Sequence, residues 1–267
     1  MTGNITFGVS DFKTTEPLLI FATIIESGMD FIEPGLAKVA AMTETEFSEL
    51  AVRLRSSRIR VQSMNWFLPP TLKVTGPEVD QAKSRDFLQA ALVRASVLGA
   101  KAVVFGSPGS RSIPDGFSAT EARQQMIDFC ILAADVIRTG EFDLRIAVEH
   151  VNHTETNFIN TFAQALNLVR EVNRKEIGLA ADFYHFAMEN ESTEILSEAG
   201  DLVCAVQLAD PTGRCFPKPG HEVPNLALFM EHLRSINYSG GVSVEANASD
   251  DLGSDCRLAL EALRALQ

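Results

Sequence analysis

The chain has 267 residues, 46% of them hydrophobic and 22% charged, and 23 basic against 35 acidic residues give a net charge of −12. That length allows one large α/β domain or two small ones with a substantial core. The acidic balance argues against nucleic acid as the main partner, because binding phosphates needs a basic footprint.

The predicted elements alternate strand and helix. The first unit is a strand near Ile5–Val9 and a helix over Pro17–Ser27, with Pro17 in its first turn and Gly28 as its stop. The second is a short strand, Met29–Glu33, and a helix over Phe47–Arg55. Ile59–Met64 reads as a third strand, emptying into the hydrophobic loop Asn65–Pro70. Gly76-Pro77 then opens a long helix whose apolar side is read as Val79, Ala82, Ala90, Val93 and Val97, closed by Gly99. The fourth unit is Lys101–Phe105, the loop Gly106–Arg111, and a helix over Ala119–Ile137. The fifth is the run Ile146-Ala-Val ending on Glu149, a polar loop, and a helix carrying Phe162, Leu166 and Val169 at helical spacing. The sixth is Ile177–Ala181 ending on Asp182, with His185 in the following loop and a helix near Glu194–Glu198. The seventh is Leu202–Leu208, then a Pro/Gly-rich loop and a helix over Leu226–Arg234. The eighth is Gly241–Val244 ending on Glu245, with a last helix over Arg257–Leu266.

Eight such units without a linker or composition break predict a single domain over residues 1–267, folded as a (β/α)8 TIM barrel, a fold of about 250 residues. An open doubly wound sheet would show a Gly-rich turn after its first strand, and Val9-Ser10-Asp11-Phe12 is not one. Four cysteines without metal or redox spacing suit a reducing compartment. No leader of the basic-then-apolar type and no membrane-length apolar run stand in the sequence, so the expectation is a cytoplasmic protein with no membrane partner.

Active sites of such barrels are built at the C-terminal strand ends. The last four strands end, within one residue, on Glu149, Asp182, Gln207 and Glu245. Three carboxylates meeting at one point repel one another, and a divalent cation removes that conflict. An oxygen-only set suits Mg²⁺ or Mn²⁺ better than a thiolate- or imidazole-rich set does; Co²⁺ or Zn²⁺ stays open. A carboxylate at any one strand end is more often a helix cap, so the signal lies in the joint pattern.

Ile146-Ala-Val-Glu149-His-Val-Asn-His-Thr-Glu155, Gly178-Leu-Ala-Ala-Asp182-Phe-Tyr-His185, Val206-Gln207-Leu-Ala-Asp210 with Gly213-Arg214, and Val242-Ser-Val-Glu245 resemble the sugar isomerase/epimerase barrels of the xylose-isomerase-like superfamily. Phe105-Gly-Ser-Pro with Arg111 is similar to that group's fourth-strand loop. The resemblance runs from Lys101 to Ala246 and implies Glu149, Asp182, Gln207 and Glu245 as metal ligands. It further implies Glu149 and Glu245 as the proton-moving pair, and Glu155, His185 and Arg214 as contacts to substrate oxygens. Gln207 resembles the hydroxypyruvate-isomerase-like branch. The Asp210-Pro-Thr-Gly-Arg214 loop departs from that branch by one extra residue.

The implied chemistry is removal of a proton alpha to a carbonyl of a small sugar or sugar acid, through an enediolate. A dehydratase like the inosose dehydratases is the alternative, and a non-catalytic sugar-binding barrel or an apurinic-site endonuclease is remoter. Other residues carry plainer readings. His150 and His153 are expected in water, His232 inside a helix as structural, and His221 stays ambiguous. Trp66, Phe67 and Phe12 can wall the pocket or pack a subunit contact in a homo-oligomer. The Gly106–Arg111 loop could hold phosphate through Arg111 and backbone N–H groups.

Overall fold

The computed structural model describes residues 5–10 and 17–266. Its strand segments are β1 (Thr6–Ser10), β2 (Phe31–Glu33), β3 (Arg60–Val61), β4 (Ser63–Met64), β5 (Ala102–Phe105), β6 (Arg145–Glu149), β7 (Ile177–Asp182), β8 (Val203–Leu208) and β9 (Gly241–Val244). They pair in parallel in the order β3-β2-β1-β9-β8-β7-β6-β5-β4. The two ends of that row are halves of one strand. Only Gln62 separates β3 from β4, and its carbonyl accepts from Lys101 N at 2.8 Å. The row therefore closes through Gln62, and the chain is a (β/α)8 barrel, as expected.

The helices are α1 (Pro17–Ser27), α2 (Leu36–Ala41), α3 (Glu44–Ser56), α4 (Gln81–Leu98), α5 (Pro108–Arg111), α6 (Ala119–Thr139), α7 (Phe162–Val172), α8 (Phe183–Met188), α9 (Leu196–Ala199), α10 (Leu226–Ser235) and α11 (Leu252–Arg264). Several differ from the reading of the sequence, and capping explains most of the differences. Thr43 and Glu46 form a reciprocal capping box, so α3 begins at Glu44 and not at Phe47. Asp80 Oδ1 accepts from Ala82 N and Lys83 N, which starts α4 at Gln81, beyond Gly76-Pro77. The apolar side predicted for α4 is reversed. Leu88, Ala91, Leu92 and Ala95 are buried at i, i+3, i+4, i+7 spacing, while Val93 and Val97 are 46% and 51% exposed on the opposite side. Asp251 caps α11 through Ser254 N at 2.9 Å, five residues ahead of the predicted start.

Period-2 alternation sorts the strand residues into two layers. Val103, Phe105, Ile146, Val148, Leu179, Val242 and Val244 face the helices in the main core, while Ala102, Val104, Ala147, Ala180 and Ala205 form a separate cluster inside the barrel. Phe31 plugs the interior near the strand starts. A Cβ on Gly8 or on Gly241 would lie 2.5 Å from the Phe31 ring, so β1 and β9 both need glycine there.

Continuing the interior parity to the C-terminal rim gives one residue per strand: Ser10, Glu33, Asn65, Gly106, Glu149, Asp182, Gln207 and Glu245. One irregularity is needed to complete that ring. The β7/β8 pairing slips between Leu179↔Val203 and Ala180↔Ala205. Val203 packs in the outer core, yet Cys204 and Ala205 both meet the interior cluster. This bulge, with two successive residues on one side, turns Gln207 inward as the register partner of Asp182.

Candidate active site

Each rim residue is held by a local device. Asp182 Oδ1 caps α8 by accepting from Tyr184 N at 2.8 Å, which leaves its Oδ2 buried without a hydrogen-bond partner. The same cap sets α8 so that His185, one turn on, turns back over the strand end. The imidazole Nε2 lies 3.4 Å from Glu149 Oε1 and 3.6 Å from Asp182 Oδ2. Those three residues each bring one ligand-type atom within 4.8 Å of the others. Gln207 is fully buried, donates Nε2 to Glu33 Oε1 at 2.7 Å, and keeps Oε1 without a partner.

Glu245 accepts from Asn65 Nδ2 at 3.0 Å and from Arg214 Nη2 at 2.7 Å. Arg214 in turn reaches Glu155 Oε1 with Nη1 at 3.1 Å, and its guanidinium lies over the Tyr184 ring, 4.5 Å from the centroid. Its backbone is pinned by Asn247 N donating to Arg214 O at 2.7 Å. Burial alone would pull the Arg214 pKa down, but Glu245, Asp182 and Glu155 outweigh it and hold the guanidinium firmly charged.

The carboxylates show the opposite imbalance. Burial, then the charge of Glu245, pushes Glu149 up to about 8 against the relief from Arg111 and Arg214. Burial likewise lifts Asp182 to about 7. A set of buried acids that resist ionising, beside oxygens of Asp182, Gln207 and Asn65 that lack any hydrogen bond, has the donor chemistry of a hard-cation site.

A family profile described as Xylose isomerase-like TIM barrel matches residues 21–266. The chain belongs to that family. An inosose isomerase of Bacillus licheniformis is 34% identical over 114 residues, which is 39% of this chain and 40% of that protein. The sequence match thus spans well under half of this curated relative. The crystal structure of D-allulose 3-epimerase from Methylomonas sp. in complex with D-allulose superposes with a TM-score of 0.84 at 21% identity, covering 99% of this chain and 98% of that one. The IOLI protein with a bound zinc atom superposes with a TM-score of 0.75 at 19% identity, covering 98% of both chains. Both structural likenesses show the family's fold.

Within this family barrel, the seven residues expected to bind metal or substrate reach the same rim, with different partners. Glu149, Asp182 and His185 converge, Gln207 stands beside Asp182, and Glu155, Arg214 and Glu245 form a hydrogen-bonded row. His185 sits in the short helix α8 and not in a loop. His150 is not in water. It is fully buried, edge-on to Phe162 and Phe186 and close to His185, and burial keeps its pKa well below the usual range. Arg111 is fully buried too, donating Nη1 to Phe105 O and Glu149 O at 3.0 and 2.7 Å while its Nε and Nη2 stay buried without a hydrogen-bond partner, so it does not stand open in the loop. Phe67 is fully buried in the outer core, edge-on to Phe105 at 5.4 Å. Trp66 is 46% exposed, and Phe12 lies outside the described residues. His153 is exposed and bonded to Glu189, His221 pairs with Asp210 at 2.8 Å, and His232 meets Thr193 at 2.8 Å.

Sequence reasoning missed three contributors. Glu33 is fully buried, hydrogen-bonded to Ser63 Oγ and Gln207, and pushed by burial up to about 8. Its signal was present, since the second predicted strand also ends on a carboxylate. Asn65 and Asn152 carried no signal beyond being polar residues after a strand.

Proposed function

We propose that the protein is a divalent-metal-dependent sugar isomerase or epimerase that moves a proton alpha to a carbonyl, with Glu149 and Glu245 as the acid/base pair. The observation that carries this reading is the pair itself. Two carboxylates on β6 and after β9 meet at one rim, close enough that the charge of Glu245 helps to hold up the proton affinity of Glu149. A base working on a weakly acidic C–H gains from such a raised pKa.

Asp182 Oδ2 and Gln207 Oε1, both buried without a hydrogen bond, would hold the metal together with Glu149 and Glu245. Bound there, it would act as a Lewis acid toward the substrate's carbonyl and neighbouring hydroxyl. The zinc atom in the IOLI neighbour supports a divalent ion without choosing among Mn²⁺, Mg²⁺, Co²⁺ and Zn²⁺. The protein's own side chains supply the rest. Glu149, only 6% exposed, takes the C–H proton. Arg214 holds Glu245 through Nη2 at 2.7 Å and, with Glu155, presents donors and acceptors to substrate hydroxyls. His185 directs its Nε2 toward the reacting end. If Glu245 returns the proton from the other side of the carbon, the result is epimerisation; if Glu149 returns it to the neighbouring carbon, the result is isomerisation.

A small unphosphorylated ketose or cyclic polyol ketone is the substrate class in view. Support comes from the inosose isomerase relative and the D-allulose-bound neighbour, and from an Arg111 that is fully buried and turned onto the carbonyls of Phe105 and Glu149. The test is a panel of ketoses and inososes incubated in deuterated water with Mn²⁺ added after chelation. Deuterium entering the substrate carbon supports the reading, and no exchange across the panel overturns it. A product lighter by one water would instead identify a dehydratase.

A further inference from the structure

The loop after β6 folds back on itself and fixes one amide completely. Asn152 Oδ1 accepts from Thr154 N at 3.0 Å and from Thr154 Oγ1. A backbone N–H can only donate, so the Asn152 amide cannot be flipped. Its Nδ2 therefore faces outward, donating to Glu155 Oε1 at 3.0 Å and lying 2.8 Å from His185 Nδ1. The backbone N–H of Asn152 points at the same ring nitrogen, at 3.3 Å. Two N–H groups thus converge on His185 Nδ1, and both are donors. An imidazole nitrogen facing two donors must be the bare one. With Nδ1 bare, the proton of the ring sits on Nε2.

We propose that Asn152 is a positioning residue that holds His185 as the Nε2–H tautomer, so that the imidazole meets the pocket as a hydrogen-bond donor and not as a lone pair. Proximity alone groups His185 with Glu149 and Asp182 as a triplet able to hold a metal. In this tautomer Nε2 has no lone pair to give, so the metal set is left to oxygen atoms. Its N–H is directed to a substrate oxygen bound between His185 and the two carboxylates. Asn152 also grips Glu155, the partner of Arg214. One residue thereby sets the geometry of both arms of the site, the imidazole and the guanidinium.

The tautomer is independent of the proposed isomerase/epimerase reading, whereas its effect on turnover rests on that reading. The experiment is therefore a two-bond ¹H–¹⁵N correlation spectrum of the full chain labelled at histidine, recorded without metal or substrate. Only five histidines contribute, and His185→Gln assigns the signal by its loss. The expected pattern has protonated Nε2 and bare Nδ1. A wild-type His185 protonated on Nδ1 overturns the proposal. Asn152→Asp puts an acceptor opposite Nδ1 and is expected to draw the proton there; an unchanged tautomer in that variant also overturns it. If Asn152→Asp does not fold, Asn152→Ala replaces it. Loss of the stronger donor is then expected to move the Nδ1 and Nε2 resonances toward each other, and unmoved resonances sink the idea. Where wild-type turnover is found, either variant is expected to lower kcat about 10- to 100-fold with KM changed much less, the usual scale for residues that orient a site. A rise in KM at unchanged kcat overturns the positioning role. Absence of wild-type turnover with the Nε2–H pattern intact counts against the isomerase/epimerase reading alone.

Discussion

Arg214 joins the candidate base Glu245 to the loop of the other: its Nη2 lies 2.7 Å from Glu245 Oε2, and its Nη1 lies 3.1 Å from Glu155 Oε1. The row continues through Asn152 to His185, which faces Glu149. Removing its cation leaves two carboxylates uncompensated, one of them with a nearly buried side chain. Arg214→Ala is expected to destabilise the metal-free protein by about 3 kcal/mol, the scale for breaking a buried pair from one side. Urea unfolding checks this, and an unchanged midpoint would remove Arg214 from the framework of the site.

Glu149→Gln keeps shape and size while deleting the base. Deuterium exchange into substrate is expected to fall by about 10²- to 10⁴-fold. Glu245→Gln divides the two reactions: in an epimerase both substitutions cost turnover similarly, while in an isomerase that returns the proton through Glu149 the second is milder. Exchange rates near wild type in Glu149→Gln would show that the proton leaves by another group.

The raised acids give a pH signature with a definite sign. Glu33 and Glu149 rise from 4.5 to about 8, and Asp182 from 3.8 to about 7. The folded chain thus binds protons that the unfolded chain releases, and stability from these groups is present at low pH and lost as pH climbs toward 8. Glu33→Gln/Glu149→Gln removes two of the three. Relative to wild type and without metal, that double variant is expected to gain thermal stability between pH 5 and pH 8. Adding Mn²⁺ to wild type is expected to raise Tm more at pH 8 than at pH 5, because ligands bind metal deprotonated. Melting curves with the reverse order would show that these carboxyls are already ionised at neutral pH.

Gly106 completes the rim by having no side chain. A Cβ there would collide with Glu149 Oε2, and the Glu149 side chain is only 7% exposed. Gly106→Ala is expected to cost about 1–3 kcal/mol as an overpacked site and to displace the base. Both the unfolding midpoint and the exchange rate should fall; an alanine variant with wild-type values would mean that Glu149 has room to move.

Much of this was legible along the chain because its carriers are local. Buried parallel strands read as short apolar runs, and each run that stops on Glu149, Asp182 or Glu245 marks its rim residue directly. Errors fell where a distant group competes with a local pattern. His150 follows a strand end and looks solvated, yet Phe162 and Phe186 enclose it. Arg111 looks available in a Gly-rich loop, yet the carbonyls of Phe105 and Glu149 take it inward. Val93 and Val97 look like a core stripe, but the side of α4 that meets the barrel is chosen by its neighbours.

By itself the sequence determined eight strand–helix units, the oxygen-donor residues at the strand ends and the loop carrying Glu155, since strand length, period and caps are set by near neighbours. Only the tertiary structure decided how those groups face one another. The β7/β8 bulge, which turns Gln207 inward beside Asp182, is a matter of register between strands and leaves no local trace. Glu33 gained its place when ring closure set β2 and the β3/β4 strand so that it meets Ser63 and Gln207. The proton on His185 is placed by Asn152, 33 residues away, because a tautomer is chosen by the hydrogen-bonding groups that fold against the ring.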